Sequence, residues 1–130
     1  MTTTKQRAAL VAGSVLLLAT ACAPSVAELR DRPVDATYAS PSSASAVVQC
    51  VRQDLDRQSG ITNGLAYLLT ATEQDGDTVS LTARYDAKYP VFVVSARPDG
   101  TGSTVDVRAW ATWPGRIAPV VERCATGGTK

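Results

Sequence analysis

Three cysteines, Cys22, Cys50 and Cys124, are the most reactive side chains in this 130-residue chain, and no histidine accompanies them. Without imidazole, neither a Ser-His nor a Cys-His nucleophile can be assembled. A metal site is poorly served too, since the cysteines have no C-x-x-C spacing. Carboxylates remain, and Asp54, Asp56, Asp86 and Asp106 could supply the paired acid and base of glycoside hydrolysis. Asp54 and Asp56, however, are two apart, so on a helix they point in different directions. The run "PDGTGSTVD" (98–106) holds glycines and acids without the ligand spacing of a calcium loop, and it reads as a hairpin turn. No G-x-S-x-G or phosphate loop is present. The chemistry-bearing residues therefore call for no metal and no cofactor.

The first cysteine stands directly behind a leader. Lys5 and Arg7 precede the apolar run Ala8 to Leu18, and the small residues Ala19, Thr20 and Ala21 follow, as in a secretory signal removed over residues 1–21. The run falls short of the roughly 20 apolar residues that cross a hydrocarbon core. Ala19-Thr20-Ala21-Cys22 resembles the lipobox of bacterial lipoproteins, with Ala19 where that family usually has leucine and Leu18 one place earlier. The resemblance implies cleavage before Cys22 and acylation of its thiol and new amino terminus with palmitate-type chains. Two or three such chains anchor stably where one binds only marginally. Ala23, rather than aspartate, implies the outer membrane where a cell has two. An ordinary signal peptide with Cys22 as a spare thiol is the alternative.

Acylation of Cys22 leaves Cys50 and Cys124 as an even pair in an oxidising compartment, where a disulfide persists. Removing Lys5 and Arg7 takes the 13 basic residues to 11 against 12 acidic ones, a formal charge of −1. That balance lacks the basic field that draws proteins to phosphate backbones, so nucleic acid is not an expected partner.

The elements that must position these residues follow from periodicity. Residues 22–42, rich in Ala, Ser and Pro, read as the lipidated cysteine and a flexible tether with a reach of about 25 Å. Residues 43–130 form one small domain. Val47, Cys50, Val51 and Leu55 make a helical stripe, with Ser42 or Ser43 to cap its start and Gly60 to stop it. Segments 65–72, 78–86, 91–97 and 103–110 read as four strands with short turns, an antiparallel meander. Ile117, Val120, Val121 and Cys124 repeat as a second stripe, with Pro119 expected in the first turn of its helix. The fold class is α+β: a four-stranded sheet with the two helices packed on one face and joined by the Cys50–Cys124 disulfide. This order is also similar to that of small, uncharacterised envelope lipoproteins, a resemblance that brings no catalytic residues.

Alternation places Thr82, Arg84, Asp106, Arg108 and Trp110 on the face away from those helices. A tryptophan beside guanidinium groups can stack on a sugar or anchor a protein partner. The same residues could instead keep an exposed sheet soluble. The expectation is a non-catalytic, lipid-anchored envelope protein facing the periplasm, structural or binding, with an envelope protein or glycan as partner. The alternative is a small cell-wall hydrolase or hydrolase inhibitor.

Overall fold

Val79, Leu81 and Ala83 alternate with Ser80, Thr82 and Arg84, and that period of two builds the sheet on which everything else packs. A computed structural model describes residues 25–58, 68–86 and 88–127. Cys22, the leader and Gly60 lie outside these. The elements run α1 (Val26–Asp31), β1 (Ala36–Ser40), α2 (Ala44–Gln58), β2 (Leu68–Asp75), β3 (Thr78–Tyr85), β4 (Tyr89–Asp99), β5 (Gly102–Ala109) and α3 (Trp113–Thr126).

The expected meander is present as β2 to β5, but the antiparallel sheet has five strands in the order β1-β5-β4-β3-β2. The additional strand comes from residues expected to form the tether. Ser25 caps α1 by accepting the Glu28 amide hydrogen bond at 3.2 Å. Ala36 to Ser40 then pair with Val107 to Ser103 of β5. Composition alone hides both elements, because alanine and serine bury little area, yet backbone pairing needs no large side chain.

Both two-residue turns place glycine at positive φ, Gly76 (60°) and Gly100 (62°), a conformation that carries no Cβ penalty for glycine. Gly102 is required for a different reason: a Cβ there would overlap the Ser40 carbonyl oxygen where β1 meets α2. A bulge between β3 and β4 pairs Ala83 with Phe92 but Arg84 with Pro90, which leaves Val91 as the extra residue and gives the proline a tolerated place.

Helices α2 and α3 cover one face, as expected. Val47, Val51 and Leu55 of α2 and Ile117, Val121 and Ala125 of α3 join Leu81, Phe92, Val94, Val105 and Val107 in a single core. Ser43 caps α2, accepting from the Ala46 amide at 3.2 Å. Helix α3 starts earlier than its proline implies, at Trp113, so Pro119 lies in the interior and not in the first turn. Its exposed position leaves the Gly115 carbonyl, which would otherwise accept from residue 119, able to turn to solvent. Trp113 itself packs against Phe92 and Tyr85, with ring centroids 6.1 and 6.2 Å away.

Cys50 and Cys124 form the disulfide, with Cα atoms 5.7 Å apart. Cys50 is half-buried at the seam of the two helices, where the stripe reading had it facing the core. A second tie sits beside it. Asp54 of α2 accepts from Arg123 of α3 at 2.7 Å and from Arg57 of its own helix at 3.2 Å.

Two outcomes follow from this packing. Replacing both Cys50 and Cys124 with alanine opens a loop of 74 residues and should lower stability by about 4 kcal/mol, read in urea titration as a lower midpoint with a steeper slope, because the uncrosslinked chain unfolds to a more open ensemble. Tyr38 of β1 has its phenol pKa raised from 10.0, first by burial and then by the nearby Glu122 carboxylate. The unfolded phenol therefore loses its proton first, and stability falls as pH climbs past the unfolded value. Melting temperatures compared at pH 9 and pH 11 should drop less in Tyr38→Phe than in the parent chain.

Candidate functional site

The sheet has a second face, and β1 determines what covers it. Because β1 enters beside β5, the preceding helix α1 is carried across the face opposite α2 and α3, where it contacts β4 and β5. Leu29 of α1 is fully buried, as is Val93 of β4, and neither belongs to the main core. Asp35 extends the strand pairing by donating its amide to the Val107 carbonyl at 2.8 Å, and its carboxylate accepts the Ala109 amide at 2.7 Å.

The residues expected to form a binding face do share this side of the sheet, but most are turned to internal use. Thr82 is buried. Asp106 is only 8% exposed and accepts from the Thr37 hydroxyl at 2.9 Å and from Arg97 at 2.6 Å. Thr37 and Asp106 are register partners, so the aspartate fastens β1 to β5 through side chains as well as backbone. Arg108 donates its Nε hydrogen to the Arg32 carbonyl at 2.9 Å, just past the end of α1. Trp110, whose amide donates to the Val91 carbonyl at 2.8 Å, lies under the Arg32 guanidinium, 5.4 Å from ring centroid to Cζ. Arg84 is half-buried and has no ion-pair partner among the described residues. The open, solvated sheet face anticipated from alternation is thus corrected to a face strapped by α1.

Beside α1 the same face keeps a polar cleft of about 240 Å³. Arg30 of α1 and Glu73 of β2 meet at 2.8 Å along it, and Asp75 and Arg108 contribute further charge. Across its floor the Ser80 and Ser95 hydroxyls are 3.2 Å apart on neighbouring strands. Sequence reasoning missed Glu73 and Asp75, although their spacing of two on a strand beside Ser80 puts them on this face. The cleft presents hydroxyls, carboxylates and guanidinium groups that can hydrogen-bond a polar ligand.

The four aspartates weighed for acid and base work are not brought together. Asp54 is ion-paired on the helical side of the sheet, Asp106 is bound on the other, Asp56 is exposed on α2, and Asp86 lies in the turn after β3. Among the described residues no three His, Cys, Asp or Glu side chains cluster as metal ligands. Nor is any helix there long and apolar enough to cross a membrane. Compared with known proteins, the chain matches no protein family, no curated protein and no solved structure.

Substitutions separate a strap from a free binding surface. Arg108→Ala removes a charged donor to a backbone carbonyl, and Asp106→Ala leaves Thr37 and Arg97 without their acceptor. Each should cost about 1–3 kcal/mol in denaturant titration. Arg84→Ala should stay within about 0.5 kcal/mol of the parent.

Proposed function

We propose that this chain is a lipid-anchored, non-catalytic protein of the bacterial cell envelope, its folded part acting as a structural or binding module held at a membrane by acylated Cys22. The observation that carries the reading is the disulfide. Cys50 and Cys124 occupy each other, which leaves Cys22, the cysteine of the lipobox-like tetrapeptide, as the odd one among three. A disulfide between two helices also suits an oxidising compartment outside the cytoplasm.

The arrangement of the sheet supports a role without catalysis. Its charged groups fasten α1 and β1 in place, and the weighed carboxylates sit apart on opposite sides of the sheet. The polar cleft, with its hydroxyl pair and the Arg30–Glu73 bridge, fits an envelope protein or a glycan better than an apolar ligand. A formal charge of −1 after loss of the leader continues to disfavour nucleic acid. By resemblance, the anchor belongs in the outer membrane of a cell that has two, with the domain facing the periplasm.

Mass spectrometry of the mature protein from membranes tests the reading. The expected amino-terminal peptide begins at Cys22 and carries a diacylglycerol, with or without a third acyl chain, and Cys22→Ser should shift the protein to the aqueous fraction. A mature chain bearing unmodified Cys22 contradicts it.

A further inference from the structure

The folded part begins much closer to Cys22 than a tether would allow. Ser25, which caps α1, is three residues after Cys22, and three residues span at most about 10 Å. If the tether had extended through residue 42, the domain could have floated well clear of the lipid. With α1 pinned to the sheet by Leu29, Arg30 and the Arg108–Arg32 hydrogen bond, it cannot. An acylated Cys22 therefore draws one particular surface onto the bilayer, the one that α1 crosses.

What α1 presents there is specific. Its six residues cover about 9 Å, and just past their far end lies Trp110, 37% exposed and, with Val34, Leu69, Tyr85 and Tyr89, one of the large apolar side chains exposed among the described residues. The Arg32 guanidinium stacks on Trp110, and its Nε is buried with no hydrogen-bond partner among the described residues. Tryptophan and arginine together suit the zone between headgroups and acyl chains, where an amphipathic ring and a snorkelling cation both find their medium. Net charge does not choose this surface, because Glu28 and Asp31 offset Arg30 and Arg32 along α1. The three-residue link from Cys22 to Ser25 does.

Resting on the lipoprotein reading, we infer that the stacked Trp110–Arg32 pair is a membrane-contact surface that seats in the bilayer interface and fixes the orientation of the domain, leaving the opposite, helical face toward the periplasm. The occupant is the interfacial zone of a zwitterionic bilayer, and anionic lipid is not required.

Tryptophan emission tests this on the mature acylated chain in phosphatidylcholine vesicles carrying a doxyl quencher near the top of the acyl chain. The chain has two tryptophans, and Trp113 is buried in the core, so Trp110→Phe supplies the internal reference. The parent should be quenched at least twofold more than Trp110→Phe. A 15-residue Gly-Ser insertion between Pro24 and Ser25 should bring the parent down to the level of that variant. Adding anionic lipid should leave the quenching unchanged. Equal quenching of parent and Trp110→Phe, with both chains floating with the vesicles, overturns the contact surface while the anchor stands. A chain that neither floats nor carries acyl mass overturns both.

Discussion

Pairing of Ala36–Ser40 with the outer edge of β5 determines where everything upstream of it can lie. Five residues of backbone ladder would hold weakly at an edge, but here they are reinforced from both sides. Asp106 accepts from Thr37 within the pair, Asp35 caps the ladder through the Ala109 amide, and Tyr38 lies beneath α3. Once β1 is fixed, the chain before it must cross the second face as α1, and the chain after it must leave at the Ser40–Gly102 contact to begin α2.

The two faces are then closed by different physics. On one, α2 and α3 bury apolar stripes against Leu81, Phe92, Val94, Val105 and Val107, and the Cys50–Cys124 bond and the Asp54–Arg123 pair tie the helices to each other. Apolar burial there supplies most of the driving force, and the crosslink limits the unfolded ensemble. On the other face buried Leu29 and Val93 are assisted by polar contacts: Arg108 donates to the Arg32 carbonyl, Arg30 of α1 pairs with Glu73, and Arg32 stacks on Trp110. A face closed that way has less apolar area in reserve, so α1 is the element most open to local exchange.

Much of the apolar-covered half was legible in the residues. Period-two runs located the meander, period-3.6 stripes located α2 and α3, and the two stripe cysteines pointed to each other. The other half was not, for identifiable reasons. Ala36, Thr37, Tyr38, Ala39 and Ser40 alternate too weakly in hydropathy to stand out between Pro33 and Pro41, and only the pairing with β5 makes them a strand. The Ser25-x-x-Glu28 spacing is a helix-start signal, but a six-residue helix gains its stability from the sheet beneath it. Arg108 and Trp110 were placed on the correct face by alternation. That Arg108 grips a neighbouring segment depends on a contact spanning 76 residues of sequence between Arg108 and Arg32.

Residues 25–40 must belong to the fold for the second face to be covered and for Cys22 to be held close to it. Amide hydrogen exchange resolved to single residues measures this directly. The account predicts that the ladder amides shared by β1 and β5 exchange as slowly as those at the centre of β4, with α1 faster but still protected. Exchange of residues 25–40 at the rate of a free peptide, beside a protected β5, would contradict it.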